Sequence, residues 1–596
     1  MADGHERFGL FWPGKKRALR AAQAPTTATL KPDFVHSKDW ETTQNVFIEG
    51  DNLEVLKILQ RHYHNKIKLI YIDPPYNTGK DFVYPDNYRE GLETYLEWTR
   101  QVNEEGKKVS TNSESEGRYH SNWLNMMYPR LKLARNLLTD DGVIFISIDD
   151  NEQDNLKKLC NEVFGEMCFI GTIVWHNSSR QNDLVAVEHE YICLYGRKPA
   201  ANGAQWSRSR EVALRLKNMV KTMRQAGKTI DDAESILAFE INCLQEEDMH
   251  KGTKNFSWLT NYKNIDDDWN IYYPVDLSGE GSGPPRRFGD NIVPAPMGRH
   301  WMGQDYINEL MLEGRIVWRG DRAYRKLYIQ ESLDNLKSII SIPTRNGSEQ
   351  IKKLLGKDIF DKPKPTNLIA KLMHYILEKE DIVLDFFAGS ATTAHAVMQL
   401  NAEDGGQRRF IMVQLPEPTP EDSEARRAGF KTIADISRKR IELAGEKIKA
   451  DAPGSAVDTG FRAYKLADTH FAKWRVTSDI EPDKLEQRLL NLRDSANDNA
   501  QADDLLTEIL LKTGFSLTAA ITSAEIAGLA VKRVGDNLLL AYLNEHIKPT
   551  LEQLRALVDA EPMRLIVLED AFHGDDELKT NLVQYAKSKG VELWTA

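Results

Sequence analysis

Cysteine is scarce in this chain of 596 residues, and the four present, Cys160, Cys168, Cys193 and Cys243, show neither Cys-x-x-Cys spacing nor a histidine partner pattern. That argues against a zinc site or a disulfide scaffold, and reduced cytoplasmic thiols are the expectation. Long apolar runs are missing as well. No stretch approaches membrane-spanning length and the first residues lack the apolar segment of a secretion signal, so a soluble cytoplasmic protein with no membrane partner is expected. Excess basic charge is also absent: 78 Lys plus Arg stand against 89 Asp plus Glu, a net −11. Residues 451–596 hold 16 basic and 24 acidic side chains, a net −8, which leaves −3 for the first 450. Any contact with phosphates therefore depends on local arrangement within the first three quarters of the chain. No internal repeat is evident, and the length implies several domains.

What the chain does have is Asp73-Pro74-Pro75-Tyr76 behind an apolar run, Leu69 to Ile72, that reads as a buried parallel strand. Proline fixes φ and removes a backbone donor, so the carbonyls of Asp73 and Pro74 can face a ligand rather than a neighbouring strand. The exocyclic amino group of a nucleobase has two hydrogens to give, and a carboxylate with a carbonyl accepts both. The nitrogen lone pair is thereby drawn out of conjugation and freed for attack, while the Tyr76 ring stacks on the base. A Pro-stiffened surface turn is the other reading of these four residues alone.

A second loop, Asp385-Phe386-Phe387-Ala388-Gly389-Ser390-Ala391-Thr392-Thr393, follows the apolar run Ile382 to Leu384. Small residues between a strand and a helix let the backbone approach a ligand and leave amides at the helix N-terminus. Another strand, Arg409 to Val413, leads to Gln414, near the spacing at which doubly wound folds carry a ribose-binding residue, with Glu417 as the other candidate. Gly50-Asp51-Asn52 joins a short strand, Val46 to Ile48, to a helix with Leu53, Leu56 and Leu59; Asp51 suits a helix N-cap and a ligand contact alike. A helix from Trp123 to Leu138 and a strand from Val143 to Ile146 lead into Ser147 to Glu152, whose acids can serve a site or cap the next helix.

Together these segments resemble the amino-methyltransferases of DNA, which methylate adenine N6 or cytosine N4 with S-adenosyl-L-methionine. Asp73, Pro74, Pro75 and Tyr76 match the family's catalytic loop, in which a leading aspartate favours adenine. The resemblance assigns Asp385, Phe387, Gly389, Ser390 and Thr392 to the methyl-donor loop, Asp51 to the donor's adenine and Gln414 to its ribose. Lys364, in Pro363-Lys364-Pro365-Thr366 before a helix from Asn367 to Leu377, falls near the donor's methionyl end. The target-amine half precedes the donor half, which is the order of the β group. More narrowly, Phe11 to Lys16, Asn77-Thr78-Gly79, Asp81 to Tyr84, Ala394 to Met398, Gly460-Phe461-Arg462, Trp474 and Leu578 to Asn581 resemble modification subunits of type III restriction-modification systems. That implies an α/β, doubly wound Rossmann-like core with an inserted target-recognition domain and a small C-terminal α/β domain. It also implies action on double-stranded DNA through base flipping, a homodimer and a helicase-nuclease restriction subunit as partner. An orphan methyltransferase, or a non-catalytic recognition subunit on the same fold, are the alternatives.

The expected layout is an extension over 1–45, the catalytic half of the core over 46–199, the DNA-reading insert over 200–345, the donor-binding half over 346–450 and an association domain over 451–596. The insert offers a basic helix with Arg208, Arg210, Arg215, Lys217, Lys221 and Arg224, then Arg286 and Arg287, then Arg315, Trp318, Arg319, Arg322, Tyr324, Arg325 and Lys326. Arginine bonds guanine edges bidentately and aromatics stack or wedge; for any single arginine a solvated charged face is the competing reading. Beyond a polar linker, Asp498 to Gln501, the runs Leu538 to Leu540 and Leu565 to Leu568 read as buried strands of a unit without a catalytic constellation.

Overall fold

The computed structural model describes residues 10–78, 119–177, 186–199, 206–209, 211–250, 256–357, 359–470 and 501–595. Gly79, Asp81 to Tyr84, Arg210 and Trp474 lie outside them. Two compact units make up the chain, one of residues 1–204 with 337–596, the other Gln205–Leu336.

Ten strands of the larger unit form one sheet: β1 (Ala28–Pro32), β2 (Val46–Glu49), β3 (Ile67–Ile72), β4 (Leu138–Ile148), β5 (Phe169–His176), β6 (His189–Gly196), β7 (Ile339–Ser341), β8 (Ile382–Asp385), β9 (Arg409–Gln414) and β10 (Arg462–Asp468). Their order is β1-β10-β2-β9-β8-β3-β4-β6-β5-β7. The run from β10 to β4 is parallel, and β6 is antiparallel to β4. β7 pairs with β5, so the segment around Ile339 belongs to this sheet although the sequence groups it with the insert.

The apolar runs of β2, β3, β8 and β9 follow from burial on both faces. On one face Ile48, Ile70, Ile72, Ile146, Leu384 and Ile411 share a core with helices α1 (Lys15–Gln23), α2 (Asn52–Tyr63) and α3 (Tyr119–Leu137). The alternate residues Phe47, Leu69, Tyr71, Val383 and Phe410 are buried as well. Each such side chain contributes about 1.5–3 kcal/mol of burial free energy. Further helices are α4 (Gln153–Phe164), α5 (Arg345–Leu355), α6 (Thr366–Ile376), α7 (Thr392–Asp404) and α8 (Ile433–Asp451). Trp12 staples the N-terminal segment to α3 by a 2.7 Å hydrogen bond to Asn125 and an edge contact with Tyr128.

β8 and β3 are neighbours, with Val383 beside Leu69 and Leu384 beside Ile70. From that pair the sheet grows outward through β9 on one side and β4 on the other. Such a switch point opens a crevice beyond the carboxyl ends of the strands.

At the C-terminus, strands Ile521–Ile526, Leu529–Val534, Leu539–Tyr542, Arg564–Val567 and Glu592–Thr595 form a second sheet in chain order. Arg462 ties this part to the core by donating to the carbonyls of Trp40, Leu517 and Ala519.

In the smaller unit, helices Glu211–Gln225 and Ile230–His250 share a core through Leu216, Val220, Leu237 and Ile241. Arg208 lies on a strand, Ser207–Ser209, rather than on the basic helix, which begins at Glu211. A four-stranded antiparallel sheet contains the hairpin Ile316–Arg319 with Arg322–Tyr328, and a second hairpin pairs Arg286–Phe288 with Asn291–Val293.

Candidate active site

Asp73 leaves the end of β3 with its carboxylate 2.9 Å from the Lys364 ammonium and 2.9 Å from the Tyr76 hydroxyl. A second acid, Glu190 on β6, meets the same two groups, at 3.4 Å from Lys364 and 3.0 Å from Tyr76. Asn177 donates to the other oxygen of Glu190 at 2.9 Å. Two carboxylates thus share one ammonium and one phenol. Burial works against the Lys364 charge, yet Asp73 and Glu190 outweigh it and raise its pKa. Lys364 also lies 4.9 Å from the centre of the Tyr76 ring, so it covers one face of the ring expected to stack on a base.

Backbone packing fixes that lysine. A Cβ at Gly347, in α5, would come within 2.0 Å of the Pro363 carbonyl oxygen, so glycine permits the Pro363-Lys364-Pro365 segment to approach. On the other side of the loop, the indole of Trp123 donates to the Pro75 carbonyl at 2.7 Å. Asn77, with φ 63°, donates to Glu152 at 2.6 Å, and Asn155 donates to the same acid at 2.7 Å. Glu152 therefore anchors the far end of the catalytic loop.

The loop after β8 begins at Asp385, which is 2% exposed. It accepts from the Phe387 amide at 3.0 Å and from the Thr393 hydroxyl at 2.6 Å, so it braces the loop. Burial raises its pKa to about 7, against the pull of those two donors and with a further upward push from Asp73. Gly389 has φ 52°, a left-handed conformation at which a side chain would be strained. Its amide donates to Gln414 Oε1 at 2.7 Å, and Gln414 Nε2 donates to the Leu415 carbonyl at 3.1 Å. The Gln414 amide is thus spent inside the protein. Glu417, by contrast, is raised in pKa by burial, and its carboxylate has no hydrogen-bond partner among the described residues. Asp51 is the N-cap of α2, accepting from Leu53 and Glu54, and pairs with Arg130 at 3.0 Å.

These groups suit S-adenosyl-L-methionine. The free acid Glu417 can accept ribose hydroxyls, a left-handed glycine leaves room beside Phe360, and Ser390 and Thr392 stand at a helix N-terminus. Ser390 and Thr392 both accept from Arg440.

Within the smaller unit, Arg315 is paired with Glu313 at 2.8 Å and with Glu331 at 2.5 Å, and Arg325 donates to the Tyr306 hydroxyl. Both serve the fold of that unit. Arg287, Arg319 and Arg322 are exposed, although Arg319 donates to Asn264 at 2.7 Å, and Arg286 is half-buried. Glu190 carries no motif; its signal in the sequence is only an acid entering the otherwise apolar run Tyr191 to Leu194.

Residues 67–419 match the DNA methylase family. Three relatives are Mod subunits of type III restriction-modification enzymes. EcoP15I of Escherichia coli is 32% identical, covering 99% of this chain and 91% of the relative. EcoPI of Escherichia phage P1 is 30% identical over the same shares, 99% and 91%. StyLTI of Salmonella typhimurium is 34% identical over 76% of this chain and 65% of the relative. The chain belongs to the DNA methylases, which transfer a methyl group from S-adenosyl-L-methionine. Within them it is a member of the type III modification-subunit family.

Proposed function

We propose that this methyltransferase modifies N6 of a flipped-out adenine in double-stranded DNA, with Asp73 as the amine acceptor. The carrying observation is the carboxylate of Asp73 at the end of β3, beside the loop after β8, sharing Lys364 and Tyr76 with Glu190. Extruding the adenine costs a few kcal/mol, and stacking on aromatic rings, about 1–3 kcal/mol per base, offsets much of it. As the base enters, Lys364 moves from Asp73 toward Glu190. Asp73 then accepts one N6 hydrogen and the Pro74 carbonyl the other. S-adenosyl-L-methionine, when bound, supplies the electrophilic sulfonium methyl. Gly389, Ser390, Thr392 and Glu417 hold the donor, with Asp51, Asp385 and Gln414 shaping the loops that receive it. The proton shed by the methylated amine passes to Asp73. Positioning supplies much of the rate, because both partners are held in near-attack geometry.

Target reading is assigned to the 205–336 unit. Two hairpins carry Arg286 with Arg287, and Arg319 with Arg322, and a two-stranded ribbon of this kind fits the major groove. A homodimer, a helicase-nuclease partner and association through the acidic C-terminal part complete the reading.

The test is incubation with labelled S-adenosyl-L-methionine and duplex DNA, followed by digestion to nucleosides and mass spectrometry. N6-methyladenine is expected, and Asp73→Ala should abolish it while keeping donor binding. N4-methylcytosine in its place would overturn the adenine assignment; substantial turnover by Asp73→Ala would overturn the acceptor mechanism.

A further inference from the structure

The guanidinium of Arg440, on α8, is fully buried, and no carboxylate among the described residues pairs with it. Its Nη1 donates to the hydroxyls of Ser390 at 2.7 Å and Thr392 at 2.6 Å, its Nη2 to Thr366 at 3.1 Å, and its Nε has no acceptor. A buried charge without a counter-charge is costly, and burial alone pushes this one down to about 9. Hydroxyls that accept from a cation keep their own protons to donate. Thr392 gives its proton to the Lys364 carbonyl at 3.2 Å, whereas that of Ser390 meets, among the described residues, only Thr392 Oγ1 at the long distance of 3.5 Å. The N-terminus of α7 adds partial positive charge at the same place.

We propose that Arg440 supplies the counter-charge for the α-carboxylate of the methyl donor, acting through the Ser390 hydroxyl; this rests on the reading that S-adenosyl-L-methionine occupies the Asp385 to Thr393 loop. The donor's own chemistry selects the group. Its sulfonium and ammonium are cations that Arg440 repels, its adenine and ribose are neutral, and the carboxylate is its single anion. The acids Asp73 and Glu190 gather on the Lys364 ammonium at the catalytic loop, where the cationic sulfonium is required. Arg440 is thus a positioning residue that sets donor polarity across the crevice.

Calorimetric titration of the full-length protein with S-adenosyl-L-methionine and with decarboxylated S-adenosylmethionine tests this without turnover. The wild type should bind the intact donor about tenfold to a hundredfold more tightly than the decarboxylated one, the range of a charge-assisted hydrogen bond. Arg440→Met and Ser390→Ala should bring the ratio to within about threefold of unity, and Arg440→Lys should restore most of it. If Arg440→Met fails to give a cooperative melt, Ser390→Ala decides, since it leaves the guanidinium in place. A wild-type ratio near unity, or an undiminished ratio in Ser390→Ala, overturns the assignment while leaving the donor loop intact. A wild type that does not bind S-adenosyl-L-methionine would remove the donor-loop reading and this inference with it.

Discussion

Replacing Glu190 with Gln removes one of the two carboxylates that share Lys364 and leaves the ammonium to Asp73 alone. Opposite unit charges at the 3.4 Å separation of Lys364 and Glu190 attract by about 5 kcal/mol at an effective dielectric of about 20. Desolvation of two buried groups offsets a large part, leaving about 1.5–3 kcal/mol, the usual worth of a hydrogen bond to a charged group. In the proposed mechanism that coupling lets Lys364 release Asp73 when the amine arrives. Its loss should lower kcat/KM for DNA about tenfold to a hundredfold, with donor affinity changed less than about threefold. Single-turnover transfer of tritiated methyl groups measures the first quantity and calorimetry the second. The Lys364→Met background sharpens the test: without a lysine to divert, Glu190→Gln should cost less than about threefold. Glu190→Gln within about twofold of wild type, or an undiminished penalty in the Lys364→Met background, would refute the sharing argument.

Gly389→Leu should lose donor affinity through both its left-handed φ of 52° and the proximity of Phe360, with DNA retention on a filter unchanged. Unaltered calorimetric affinity would sink the donor-loop assignment. Although burial pushes the Glu508 carboxyl up, hydrogen bonds from His470, Lys512 and Thr469 hold it at about 2. A depressed acid contributes stability above its unfolded pKa and loses it as pH falls toward the folded value, here from about 5 downward, worth about 3 kcal/mol. Glu508→Gln should therefore lower the urea midpoint at pH 7 and flatten its decline on acidification; a wild-type slope refutes this. Arg319→Ala with Arg322→Ala should weaken DNA binding and reduce the salt slope by about 1–2 if those side chains contact phosphate, while an unchanged slope and affinity would take that hairpin out of the interface.

Much of the larger unit was legible because its central strands are buried on both faces. Ile67–Ile72, Ile382–Asp385 and Arg409–Gln414 appear in the sequence as apolar runs ending in turn chemistry, and the loops after the first two meet because those strands are neighbours. What a loop residue touches was less legible. Asp385 has the residue type of a ligand contact but spends both oxygens on Phe387 and Thr393. Gln414, the residue the resemblance assigns to the ribose, has its amide engaged by Gly389 and Leu415, which is why the proposed function gives Glu417 a share in holding the donor. Arg315 reads as a free basic group until Glu331, from a later segment, closes on it.

The residues that sequence reasoning missed share one physical cause. Local pattern encodes period and turn type, whereas the partner of a polar side chain depends on which strands and helices become neighbours. Glu190 reaches the Lys364 and Tyr76 that Asp73 also meets because β6 runs antiparallel beside β4, and that reversal leaves no mark on the residues around it. Arg440 sits in Ser437-Arg438-Lys439-Arg440, a basic stretch that reads as a solvated helix face. Arg438 pairs with Glu49, Lys439 with Glu442, and Arg440 alone of the three is buried against hydroxyls without an acid. A charge kept in that state through folding lowers stability unless a ligand answers it, so on the proposed role of Arg440 the loop trades protein stability for donor affinity. Bound S-adenosyl-L-methionine should accordingly raise the melting temperature of the wild type more than that of Arg440→Met at the same free donor concentration, and an equal rise in both would break that link.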